Sequence, residues 1–198
     1  RNPNMKQTLT LIPLALLAAC SSQSSPDADP AADETVSVTK PMAPEKTAPA
    51  TPPAPSANTL SLAGLGDLRI GAAVPATSRW REEEVQASDT CRVLTSPDYP
   101  GGYAITEGGK IRRISIGERS PVKLAKGIAL GASEADVKKQ FPFPATPHKY
   151  ADAPAKYLTA PNAASGDSAL RFEIGSDGKV GQIHVGTMPV LGYVEACS

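Results

Sequence analysis

The sequence predicts an α+β fold: two tandem helix-plus-antiparallel-meander modules behind a disordered Pro/Ala-rich tether. Three observations predict it. From Ser21 to about Asn58 the chain consists of Ser, Ala, Thr, Pro, Asp and Glu with almost no large apolar residue, a composition that buries too little apolar surface to offset the entropy of ordering. Beyond it, the nine residues Gly109 to Gly117 recur without a gap as Gly178 to Gly186, keeping both glycines, the lysine and three β-branched apolar positions. Last, Leu170, Phe172 and Ile174 alternate with Arg171 and Glu173, the period of a strand with one buried and one wet face.

The chain opens on an apolar run, Leu9 to Ala19, that follows Met5 and Lys6 and closes as Leu17-Ala18-Ala19-Cys20. A charged start, a short apolar stretch and small residues before a cut form the grammar of a secretory signal. The run is too short for a spanning helix, which needs about 20 apolar residues, and it contains Pro13. Leu17 to Cys20 resembles the lipobox of bacterial lipoproteins, in which the cysteine is acylated and becomes the new amino terminus. That resemblance implies a lipid anchor on Cys20 and, because Ser21 rather than aspartate follows, sorting to the outer membrane with the domain in the periplasm. Residues 1–19 are then signal peptide with upstream residues, 20–58 a lipid-anchored linker, 59–126 module one and 127–198 module two. The prolines of the linker favour extended, stiff chain.

Each module has the same expected order. Asp67 to Ala72 and Gly127 to Ala132 share an apolar-x-apolar-Gly-small pattern. Ser133 is a helix N-cap with Glu134 and Asp136 in the first turn, where carboxylates suit the helix dipole. Val137 and Phe141 share a face, and Pro142 and Pro144 stop the helix. In the first copy, Ala76 to Val85 takes the helical place. Strands follow at Cys91–Leu94, Tyr103–Thr106 and Ile111–Ile116 in module one, the last two joined by a hairpin turn over 107–110. Module two repeats them at Tyr157–Thr159, Ala169–Ile174 and Val180–Val185, with Asp177-Gly178 between the last two. Asp-Gly between alternating apolar runs is a strong hairpin signal. Ile114, Ile116, Ile183 and Val185 then face the core, while Ser115, Gln182 and His184 face solvent.

A Gly-small-Ser helix entry followed by a three-stranded meander, occurring twice, resembles the β-lactamase-inhibitor-protein fold and its one-module cousins among the small outer-membrane assembly lipoproteins. The resemblance implies a concave sheet that grips a protein partner through aromatic residues. The first copy departs from it, since 73–76 lacks a polar cap, and aromatics make up only 5% of the chain.

With Cys20 given to lipid, Cys91 and Cys197 remain as a pair in an oxidising compartment. A structural disulfide between them would pin the tail of module two onto module one. Two free thiols or a redox pair are the competing readings, and no Cys-x-x-Cys supports redox chemistry.

Formal net charge is zero, with 20 basic and 20 acidic residues, so no footprint for nucleic acid follows. Neither of the two histidines, His148 and His184, has a second ligand at zinc spacing, and no Gly-x-Ser-x-Gly, His-Glu-x-x-His or P-loop motif occurs. The expectation is therefore a non-enzymatic chain without cofactor or metal. Two proline-bounded loops hold the candidate partner-binding residues: Tyr99 and Tyr103 in one, Phe143, His148 and Tyr150 in the other, with Arg112 and Arg113 as a basic rim. The competing reading makes these aromatics caps of the sheet ends and the arginines a solvated strand face. The functional expectation is a monomeric lipoprotein, held to the membrane by its anchor, that binds an unidentified envelope protein as inhibitor, immunity factor or assembly accessory. The alternative is an architectural lipoprotein contacting peptidoglycan or glycans.

Overall fold

The two copies of the nine-residue repeat lie side by side at the centre of the main sheet. A computed structural model describes residues 57–197 except Val85, Ala87 and Glu118; the apolar run, Cys20 and nearly all of the tether lie outside the described residues. Twelve strands and one helix are present among them: β1 (Thr59–Leu60), β2 (Gly64–Leu65), β3 (Leu68–Arg69), β4 (Arg81–Glu82), β5 (Cys91–Thr95), β6 (Gly102–Glu107), β7 (Lys110–Ile116), β8 (Lys123–Leu124), α1 (Glu134–Gln140), β9 (Ala145–Pro147), β10 (Lys156–Thr159), β11 (Ala169–Ile174) and β12 (Val180–Gly186). Eight of them form one antiparallel sheet in the order β4-β5-β6-β7-β12-β11-β10-β9.

This corrects the expected architecture. Among the described residues there are not two helix-plus-meander modules but a mostly β fold, with one eight-stranded sheet, two two-stranded ribbons (β1 with β8, β2 with β3) and one helix. The repeat nevertheless has a structural counterpart, because the sheet reads alike from its centre outward. Ala104 pairs with Ile114 as Phe172 pairs with Ile183, and Leu94 pairs with Ala104 as Leu158 pairs with Phe172. Both outer hairpins slip register at the same place, after Ile105 and after Glu173. Gly71 and Ala72 clasp Ile111 through two backbone hydrogen bonds of 2.7 and 2.8 Å, and Gly131 and Ala132 clasp Val180 through two of 2.8 and 2.9 Å. At the centre, Ile116 pairs with Ile183 and Ile114 with Val185, which puts a quasi-two-fold axis through the pair Ser115–His184.

Among the described residues the helix occurs once because its local signals occur once. Ser133 caps α1, its Oγ accepting from the Asp136 backbone N–H at 3.1 Å, and Val137 is the residue α1 buries completely. In the first half, Pro75 instead starts a turn closed by Ser78 N–H donating to the Pro75 carbonyl. Trp80 is then buried and stacked on Tyr99, with ring centroids 5.4 Å apart, and Arg81–Glu82 pairs with Leu94–Thr95 as the edge strand β4. Burial of one large ring and a strand partner outweigh the weak helical preference of 76–85.

One face of the sheet carries the main core: Leu94, Ala104, Ile114, Ile116, Leu158, Phe172, Ile174, Ile183 and Val185, packed on Leu60, Leu65, Leu68 and Val137. The other face, expected to be wet, is not. Arg113 is 1%, Ser115 0%, Arg171 8% and His184 2% exposed. A strap after β12 packs a short 3-10 turn, Val190–Gly192, against β7, β11 and β12. The disulfide between Cys91 and Cys197, expected from the sequence, is formed and fixes the far end of that strap to β5. Around it Cys91, Ile105 and Val190 make a small second core with Tyr103 and Tyr193.

Candidate functional site

Two places concentrate chemistry: the buried polar layer beneath the strap, and an open apolar pocket at Phe141, Phe143 and the start of β11.

The polar layer starts from residues whose alternation on β7, β11 and β12 aims them away from the main core. His184 stands between Ser115 on one neighbouring strand and Glu173 on the other: its Nδ1 is 2.7 Å from Ser115 Oγ and its Nε2 is 3.0 Å from Glu173 Oε1. A carboxylate accepts only, so Nε2 carries the proton it donates to Glu173, and Nδ1 accepts from the Ser115 hydroxyl. The other carboxylate oxygen of Glu173 is 3.5 Å from His148 Nε2. His148 Nδ1 accepts from the backbone N–H groups of Tyr150 and Ala151 at 3.2 and 3.0 Å, which sets the same tautomer there. A chain of four side chains thus runs from the loop over 148–151 to the quasi-two-fold axis.

Burial opposes charge on His184, and Arg113 and Arg171 add repulsion, so its pKa lies below the ordinary imidazole value despite Glu173. For Glu173 burial works upward, but the hydrogen bonds from His184 and His148 prevail and hold the carboxyl below its usual range. The layer therefore holds a neutral His184 against an ionised Glu173.

Two buried guanidiniums flank this chain. Arg113 donates to the carbonyls of Tyr193 at 2.6 Å and Val190 at 3.2 Å and to the Tyr103 hydroxyl at 3.0 Å. Arg171 donates to the Gly192 carbonyl at 3.0 Å, and its guanidinium lies 3.8 Å from the centre of the Tyr157 ring, on which His148 also stacks at 4.6 Å. Both arginines hold the strap by its carbonyls. They are fasteners of the fold, with their charges desolvated.

Ser115, His184 and Glu173 have the residue types of a nucleophilic relay, and reasoning from sequence missed them by placing His184 and Ser115 in solvent. The residues that pair across the central strands, Ser115 opposite His184, were the available signal. Reaction requires an electrophile about 3–3.5 Å from the hydroxyl, and a completely buried Ser115 offers no such approach. What the arrangement does in this geometry is satisfy buried polar groups.

The candidate partner-binding residues do not form one patch. Tyr103, Arg113 and His148 belong to the layer beneath the strap. Tyr99 is 8% exposed and packs on Trp80. Arg112 is half-buried, with its carbonyl accepting from Thr187 N–H. Tyr150 is 59% exposed, under Lys149 Nζ at 5.2 Å from its ring centre. Phe143 alone lines the apolar pocket.

That pocket has a volume of about 200 Å³ and is lined by Leu62, Leu124, Phe141, Phe143, Ala160 and Leu170, with Ser61, Lys126, Asn162 and Ser168 among the rest. The prolines after α1 place it: they end the helix at Phe141 and turn Phe143 back so that both rings lean on Phe172, at 5.4 and 6.3 Å between centroids. Leu62, 52% exposed, stands at its edge. Sequence reasoning named Phe143 but not Leu62, which neither alternation nor a motif singles out.

Among the described residues no group of three or more His, Cys, Asp or Glu is placed to hold a metal ion, and no helix is long and apolar enough to cross a membrane. No family model, curated protein or solved structure matches the chain.

Proposed function

We propose that this chain is a lipid-anchored lipoprotein of the outer membrane whose folded part, a non-catalytic module, binds another protein of the envelope. The anchor rests on the sequence Leu17 to Cys20 and its resemblance to a lipobox. The binding role rests on one observation, the open apolar pocket bordered by the exposed Leu62 and by Phe141 and Phe143. A monomeric fold gains by burying such side chains, and aromatic-lined depressions are where interfaces concentrate their energy. The polar layer supplies rigidity instead of chemistry, because its serine has no access to a substrate.

Two measurements test the two halves of the reading. Cells labelled with a palmitate analogue should mark the wild type and leave Cys20→Ser unlabelled; equal label on both removes the anchor. A photo-crosslinking residue introduced at Leu62 in the full chain, in living cells, should yield a discrete protein adduct that is lost with Phe143→Ala. The same residue at Lys110, exposed on the far hairpin turn, should not. Equal adducts at both positions, or none, overturn the binding role.

A second reading has its own observation. A broader cleft of about 500 Å³ is lined by Arg69, Arg79, Asp98, Thr77, Trp80 and Tyr99, a polar and aromatic mixture suited to glycans. Co-sedimentation of the full chain with insoluble cell wall, lost in Arg69→Ala with Arg79→Ala, would favour that architectural role.

A further inference from the structure

We propose that the apolar pocket is a socket for one aromatic side chain bearing a hydrogen-bonding group, a tyrosine or tryptophan presented by a partner segment with an acidic neighbour. This rests on the reading of the module as a protein binder and specifies what that site takes.

Size comes first. Drug-sized ligands and cofactors occupy about 300–1,000 Å³, whereas an apolar cavity of about 150 Å³ accepts a benzene ring. At about 200 Å³ the pocket matches one ring and little more. Its walls suit a ring as well. Phe141 and Phe143 stand 5.4 Å apart at 51° to one another, so an incoming ring meets a face and an edge, the arrangement aromatic pairs prefer.

The polar groups narrow the class. Ser168 lines the pocket, and its Oγ is buried with no hydrogen-bond partner among the described residues. A buried hydroxyl without a partner is uncommon and costly. A phenol or an indole N–H would answer it, and a phenylalanine or leucine would not. Lys126 stands at the rim with its Nζ 5.4 Å from the centre of the Phe141 ring and makes no ion pair among the described residues. An acidic residue beside the inserted ring would meet that charge.

The chain's own tether does not supply the ring: residues 1–56 contain no Phe, Tyr or Trp. Within the folded part, Tyr150 is the exposed large aromatic.

The test uses the full chain carrying Cys20→Ser, so that no acyl chain competes, with methyl-labelled leucines followed by NMR. The probes are the capped peptides Asp-Tyr-Ala, Asp-Trp-Ala, Asp-Phe-Ala, Asp-Leu-Ala and Lys-Tyr-Ala, and decanoate. Expected are saturable shifts at Leu62, Leu124 and Leu170, with Tyr or Trp bound about threefold to tenfold more tightly than Phe. Ser168→Ala should erase that preference while leaving Phe binding intact. Lys126→Glu should reverse the preference for Asp-Tyr over Lys-Tyr. Lys126 stands at the rim and Ser168→Ala removes only a hydroxyl without a partner among the described residues, and the unchanged remainder of the spectrum reports folding.

No shift at several millimolar, equal binding of Leu and Tyr, or tighter binding of decanoate at the same methyls would each overturn the socket. Concentration-dependent self-association that occupies these methyls and vanishes with Tyr150→Ala would overturn the assignment of the ring to a separate partner. The two proposals fail separately: a crosslink at Leu62 without peptide shifts leaves the binder without this specificity, and peptide shifts without a cellular crosslink leave a socket without the proposed partner.

Discussion

Gly117 and Gly186 end the two copies of the repeated stretch, yet their surroundings set very different tolerances for a side chain. A Cβ at Gly186 would lie 2.2 Å from the Arg112 carbonyl oxygen and 2.8 Å from Arg113 Cα, both well inside the ordinary contact range that begins near 3.4 Å. Both are backbone atoms of β7, so nothing can swing away. The central strands must part where Gly186 pairs with Arg113, next to the 2.9 Å hydrogen bond from Thr187 N–H to the Arg112 carbonyl. Overpacking costs about 1–3 kcal/mol, and a lost hydrogen bond adds about 1. Gly186→Ala should therefore cost about 2–4 kcal/mol. A Cβ at Gly117 would meet Gln182 Cγ at 3.1 Å, a half-exposed flexible side chain that can move aside. Gly117→Ala should stay within about 0.5 kcal/mol of wild type. Urea unfolding of both variants decides the matter, and the first should lose about 2–4 °C of Tm per kcal/mol. If the two alanines cost the same, Gly186 does not press on β7, and the central register is wrong.

Three further outcomes are expected. His184 and Glu173 both titrate below their ordinary values in the folded state, so the unfolded chain binds protons the folded chain refuses, and stability is lost as pH falls. The loss should begin near pH 6.5 through His184 and deepen below about 4.3 through Glu173, at most about 1.4 kcal/mol per pH unit for each group. Urea midpoints across this range should show His184→Gln lacking the upper part, and a flat wild-type profile down to pH 5 would refute it. Ser115→Ala leaves a buried imidazole nitrogen unpaired and should cost about 1–3 kcal/mol in the same assay, reversing the wet-face expectation; a neutral result would mean that the Ser115–His184 bond contributes nothing. Cys197→Ser, by freeing the strap across a separation of 106 residues, should cost about 2–5 kcal/mol, and equal midpoints with and without reductant would show that the bond bears no load.

Much of the sheet was legible because alternation and glycine-bearing hairpin turns are local. The strands of both meanders, the Ser133 cap and the Cys91–Cys197 pair all stood in the sequence. Two things were not. The stretch 76–85 has acidic, helix-compatible residues, but its fate is set by the distant Tyr99 and by Leu94–Thr95, which no local pattern reveals. The alternation of Arg171, Glu173 and His184 reports polarity, and polarity was read as exposure. Whether such a face is wet depends on what covers it, and here the cover is a strap whose carbonyls answer two arginines on β7 and β11. The pocket was half legible for the same reason: Phe143 follows from the prolines around it, whereas Leu62, Lys126 and Ser168 meet it only through the chain's long-range path.

The quasi-two-fold axis through Ser115 and His184 limits what a looser assembly could achieve. In a dimer of two identical halves, the residue on the axis faces its own copy, so only serine against serine or histidine against histidine could meet there. Neither pairing supplies a hydroxyl donor on one side and an imidazole acceptor on the other with a single glutamate beyond it. Joining both halves in one polypeptide removes that restriction. The seam between them can then carry a directional hydrogen bond at the one position where perfect symmetry forbids unlike neighbours.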